Sequence, residues 1–255
     1  MAKITVRSFS DSQKLSLFAA KLFEQTVLQA LASRGRCLVL LSGGGTPETL
    51  YRLLARPPYR AGLPWSKILF FWGDERCVPP DDPGSNYHQA WQAFLGQLPV
   101  QPGNIYRVLG ERTPPEAAVD YARQLKSQAS HGLDWPRFDL ALMGLGADGH
   151  TASLFPGSPD APGLAVVPVV AQYQDRPANR VSLTPPVFNA ARRVIFLVTG
   201  AEKAGALLAT LVGPPDTLKY PAQRIRPLDG ELWFLADEAA ASQLPTRIKG
   251  LNIRH

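Results

Sequence analysis

His150 is the first candidate for chemistry. It closes the run Gly144-Leu145-Gly146-Ala147-Asp148-Gly149-His150, which follows an apolar stretch, and an imidazole exchanges protons near neutral pH. Asp148, two residues earlier, can orient that ring or tune its basicity, as a general base requires. A second loop, Ser42-Gly43-Gly44-Gly45-Thr46-Pro47, also leaves an apolar run. Its glycines let backbone amides approach an anion, and a helix starting there would add partial positive charge, with Thr46 as cap and Pro47 first in the helix. That suits a phosphate; otherwise the glycines only make a turn. The third loop begins Gly73-Asp74-Glu75-Arg76. There Arg76 offers a planar fork to phosphate or carboxylate, unless Asp74 or Glu75 simply pairs with it on a solvated loop. Arg180 and Lys203 are isolated cations that, with the glycine loop, can surround one dianion; surface charge is their alternative fate.

Other chemistries fit less well. Residues 144–149 match the dinucleotide fingerprint GxGxxG, but Pro156 interrupts the helix it needs and no acidic residue stands about 20 positions on for a ribose. Asp148 and His150 have no His-x-x-x-His or cysteine-pair partner, so no metal is expected. No G-x-S-x-G elbow supports a serine esterase. His88, His131 and His255 read as structural.

The elements that must position these residues alternate. Strands are predicted over 3–6, 37–41, 67–72, 138–143, 193–199 and near 232–235, and 181–184 is strand-like. Helices are predicted over 11–32 (capped by Asp11), 48–55, about 85–95, 115–129 and 201–211. Segments 56–64, 110–115 and 213–221 read as connections. The expected fold is α/β: a single domain over residues 1–255 with a largely parallel sheet flanked by helices on both faces, and its site at the carboxyl ends of the strands.

Composition narrows the partners. No apolar run reaches the 18 residues of a membrane span, and the N-terminus lacks a signal-peptide pattern. With only two cysteines, Cys37 and Cys77, a reduced cytoplasmic protein is expected. The net charge of +6 admits nucleic acid or a small anion. However, no basic run exceeds two residues and no nucleic-acid-binding signature is present, so nucleic-acid and membrane partners are not expected.

The segments LSGGGTPETLY, FFWGDERCVPPDDPGSNY, FDLALMGLGADGHTASLFPGSP and NRVSLTPPVFNAARRVIFLVTGAEKA, in this order, resemble the glucosamine-6-phosphate isomerase/6-phosphogluconolactonase family over nearly the whole chain, on its lactonase side. The resemblance implies a sugar-phosphate isomerase fold, a modified Rossmann type. It also implies hydrolysis of 6-phospho-D-glucono-1,5-lactone to 6-phosphogluconate in the oxidative pentose phosphate pathway, without metal or organic cofactor. His150 would be the base, oriented by Asp148, with Arg76 and glycine-loop amides stabilising the oxyanion. Residues 42–46, Arg180 and Lys203 would hold the phosphate. Asp74 either handles protons, as in the deaminases, or positions Arg76. A deaminase of glucosamine 6-phosphate is the nearest rival, but it is similar to DGHIAFNEP after the histidine, with an acid where this chain has Phe155. A non-catalytic sugar-phosphate sensor is a third reading. A monomer or weak homodimer is expected.

Overall fold

The computed structural model describes residues 3–246 and 248, and the backbone of 252–254; His255 lies outside them. The elements run β1 (Lys3–Phe9), α1 (Ser12–Arg34), β2 (Cys37–Leu41), α2 (Gly45–Leu54), α3 (Tyr59–Gly62), β3 (Ile68–Trp72), β4 (Asp74–Arg76), α4 (Asn86–Ala93) and β5 (Ile105–Tyr106). They continue with α5 (Pro114–Gln128), β6 (Leu140–Gly144), β7 (Val166–Val170), β8 (Asn179–Leu183), α6 (Pro185–Asn189), β9 (Arg193–Val198), α7 (Ala204–Val212), β10 (Glu231–Asp237) and β11 (Asn252–Arg254). Local signals explain the ends. The Asp11 side chain accepts from the Lys14 amide, Gly35 closes α1 in the left-handed region at φ 71°, and such caps are worth about 1 kcal/mol each.

The main sheet has the order β11-β1-β10-β9-β6-β2-β3-β5, parallel throughout except for β11. Side chains alternate between its faces along each strand. Val39, Leu41, Phe70, Trp72, Leu142 and Ile195 pack on one side with residues of α1, α2 and α4. Leu38, Leu40, Phe71, Met143, Val194 and Phe196 pack on the other with residues of α5 and α7. From β2 the chain proceeds towards β3 and β5, and from β6 towards β9 and β10, so the connections diverge between β2 and β6. That gap at the strands' carboxyl ends is where open α/β sheets bind ligands.

A second sheet, ordered β4-β8-β7 and antiparallel, was not expected from the sequence. Gly73 joins the two sheets: its amide bonds Leu41 O at 2.9 Å and its carbonyl accepts from Leu183 at 2.9 Å. Other expectations are corrected. Helix α2 starts at Gly45 rather than Glu48, because Gly44, at φ 108°, turns the chain directly into it. Gly44 is therefore the cap residue, Pro47 is third in the helix, and the Thr46 hydroxyl bonds Thr199 Oγ1 at 2.6 Å instead of capping. Segment 56–64 contains the short helix α3. The helix expected over 201–211 opens with a 3-10 turn, Ala201–Lys203, before α7.

Candidate active site

A cavity of about 280 Å³ opens at the switch point between β2 and β6. Loop 42–46 after β2, Gly144 to Ala147 and His150 after β6, and Lys203 after β9 all line it, and the second sheet adds Asp74, Arg76 and Arg180. Of the residues given a catalytic or phosphate-binding role from the sequence, all line the cavity except Asp148, which stands behind His150.

The two loops differ in build. His150 Nδ1 lies 2.6 Å from Asp148 Oδ1, which also accepts the His150 amide at 3.1 Å. This leaves Nε2 as the ring's free nitrogen. Burial raises the Asp148 pKa, but the hydrogen bond and charge of His150 outweigh it and bring the carboxyl below its ordinary value. Gly146 is required here, because a Cβ would run into His150 Nδ1 and Asp148 Oδ1.

In the glycine loop, the Ser42 amide donates to Tyr51 Oη at 3.0 Å and the Gly44 amide to Gln89 Oε1 at 2.9 Å. Those two amides are therefore unavailable to an anion. Gly45 and Thr46 open α2, and their amides belong to the first turn, which an α-helix leaves without internal acceptors. Ser42 Oγ is buried in the cavity wall without a partner. Burial lowers the pKa of Lys203.

Residues 74–76 are not a solvated loop: they form β4, with Asp74 6%, Glu75 2% and Arg76 9% exposed. A one-residue connection carries the chain straight from one sheet into the other, which buries all three. Arg76 faces Arg180 directly across the β4–β8 pair, and Asp74 faces Ser182. Like charges at such positions repel. Arg180 is 3% exposed, and its Nε and Nη2, like Arg76 Nε, have no partner. Arg76 Nη1 donates to Gly84 O at 2.7 Å. Burial lowers the Arg180 pKa and Arg76 adds to that, against the pull of Asp74. Two adjacent buried guanidiniums with unused donors suit one anionic group better than two separate ones.

Asp74 accepts from Ser153 Oγ at 2.6 Å, and Asn86 Nδ2 donates to its carbonyl at 2.8 Å. Glu75, on the opposite face of β4, turns away from the cavity. It accepts the amides of Arg76, Asn86 and Tyr87 at 2.7 Å each and Ser85 Oγ at 3.0 Å. Burial raises its pKa to about 7 in spite of these bonds.

Sequence reasoning missed Asn86, Tyr173, Gln174, Arg176 and Glu202, which also line the cavity. Asn86 carries a weak signal, Ser85 capping α4 directly before it. The others come from the β7–β8 hairpin and the turn before α7, where no motif marks them.

A model of the family described as glucosamine-6-phosphate isomerases/6-phosphogluconolactonase matches residues 10–234. A 6-phosphogluconolactonase of Synechocystis sp. is 41% identical over 223 residues, covering 86% of this chain and 89% of that one. Another, of Nostoc sp., is 37% identical over 246 residues, covering 95% and 99%. The solved structure of 6-phosphogluconolactonase from Trypanosoma brucei superposes with a TM-score of 0.82 at 28% identity, covering 96% of this chain and 99% of that one. A match that runs from before α1 into β10, and relatives above a third identical over most of their length, carry one conclusion: the chain belongs to the glucosamine-6-phosphate isomerase/6-phosphogluconolactonase family.

Proposed function

We propose that this chain hydrolyses 6-phospho-D-glucono-1,5-lactone to 6-phosphogluconate. The observation that carries the reading is the His150–Asp148 pair, with His150 on a cationic cavity and Phe155 stacked on the imidazole at the sequence position where the deaminase pattern has its second acid. The relatives named above support it.

His150 Nε2 takes a proton from water as the water oxygen attacks the lactone carbonyl. The tetrahedral oxyanion is met by the Arg76 guanidinium, and a donor so placed is worth about 3 kcal/mol. Collapse breaks the bond from the carbonyl carbon to the ring oxygen, which takes the proton back from His150. The substrate's phosphate lies against Ser42, the Gly45 and Thr46 amides and Lys203, where a helix N-terminus and a cation favour a dianion. Arg180, beside Arg76, supplies the second cation between carbonyl and phosphate. Gly43 lets the loop pass over Asn86, whose Oδ1 a Cβ at 43 would meet. Asp74, bonded to Ser153, holds its place beside the two arginines rather than moving a proton. The chain works in the cytoplasm as a monomer or weak homodimer; its two free cysteines support the first.

The test is His150→Ala assayed on freshly made lactone, corrected for spontaneous hydrolysis. Loss of a positioned base costs about 10²–10⁴-fold; activity within a few-fold of the parent would remove His150 from this role. Ammonia release from glucosamine 6-phosphate is the control, and turnover there would favour the deaminase.

A further inference from the structure

The His150 ring is packed by rings on two sides. Phe155 stacks on it at 4.6 Å between centroids and 27° between planes, and Tyr173 meets it at 4.6 Å and 69°. The outer rings also meet, at 5.7 Å, so the three form a closed triangle. Neither Phe155 nor Tyr173 belongs to the two apolar clusters that cover the main sheet; their packing is spent on the imidazole. Both are anchored. The Phe155 amide donates to Ser158 Oγ at 2.9 Å, and the Arg180 guanidinium lies 5.4 Å from the Phe155 ring centre. Tyr173 is fixed by a bridge to Arg176 across the tip of the β7–β8 hairpin, where Gln174 takes φ 55°.

The hydrogen bond from His150 Nδ1 to Asp148 holds one atom of the imidazole but leaves its plane free to tilt. Contacts on the ring's face and side remove that freedom. We propose that Phe155 and Tyr173 are positioning residues for the proton transfer: they set the plane of the His150 ring and so the direction in which Nε2 meets the attacking water. The inference rests on the reading of His150 as the base.

The test pairs kinetics with a direct view of the ring. Tyr173→Ala and Phe155→Leu are expected to lower kcat about 10-fold or more while KM changes less, since a reacting group misplaced by an ångström can cost ~10²-fold. Tyr173→Phe, which keeps the ring, recovers most of the kcat lost in Tyr173→Ala. In proton NMR, the His150 ring signals, assigned by their loss in His150→Ala, move in both ring-removing variants as the neighbouring ring currents vanish. That arm reads the clamp even if His150 proves not to be the base. Unchanged kcat in both ring-removing variants would overturn the proposal whatever the His150 signals do, as would a rise in KM alone, which would make the rings a binding surface. Should Phe155→Leu fail to fold, Tyr173→Ala, at a half-buried hairpin tip, decides by itself.

Discussion

At the scale of single residues, the proposed mechanism depends on Asp148, a carboxylate that bonds the His150 ring without lining the cavity. Asp148 is held below its ordinary pKa by His150, and a carboxylate 2.6 Å from Nδ1 favours the tautomer that carries its proton there and leaves Nε2 open. Asp148→Asn preserves shape but turns an acceptor into an amide able to favour the wrong tautomer. The expected outcome is a fall in kcat of about 10²-fold or more with 6-phosphogluconate binding nearly intact. Steady-state kinetics with calorimetry checks it; a loss confined to binding would make Asp148 part of the anion site. His150 and Asp148 were both legible in the sequence because they share one short turn, where neighbours in the chain are neighbours in space. Phe155 was noted only as a missing acid, since its stacking on His150 depends on the turn through Ala152, at φ 49°.

Among the elements, β4 and α4 form the least expected working unit. Glu75 joins them by accepting three backbone amides and the Ser85 hydroxyl, and so places Asn86 at the cavity. Its carboxyl has a folded pKa of about 7, above the ordinary 4.5, with burial as the first cause. The folded state therefore binds the proton more tightly than the unfolded chain. This group's contribution to stability is full below about pH 4.5, falls as pH rises through about 7 and is level above, a change on the order of 3 kcal/mol. Glu75→Gln does not titrate, so its stability relative to the parent should improve between pH 4.5 and 7.5 in chemical denaturation. A difference independent of pH would refute this. None of it was readable from GDER: a strand of three residues offers too little periodicity, and only pairing with β8 makes it one.

For the molecule as a whole, two guanidiniums buried side by side carry an electrostatic cost. Arg76 and Arg180 repel each other and leave donors unused, and on the proposed function the substrate anion relieves both. Arg180→Met is expected to stabilise the free protein on the order of 1 kcal/mol. It should also raise KM and, at a fixed ligand concentration, shrink the stabilisation given by 6-phosphogluconate, which in the parent reaches about 2.7 kcal/mol at 100 times Kd. A variant less stable when free and equally stabilised by ligand would place the anion elsewhere.

The sequence by itself determined the alternation of strands and helices, the parallel sheet covered on both faces, and the two polar loops, 42–46 and 144–150, that line the cavity. Each is encoded in contiguous residues, as apolar periodicity or as a turn whose members touch locally. Tertiary structure alone decided the rest. The second sheet, the facing of Arg76 and Arg180 from positions more than 100 residues apart in chain order, and the hairpin that brings Tyr173 onto His150 all depend on strand register. Register is set by packing between distant segments, and no local pattern in the chain carries it.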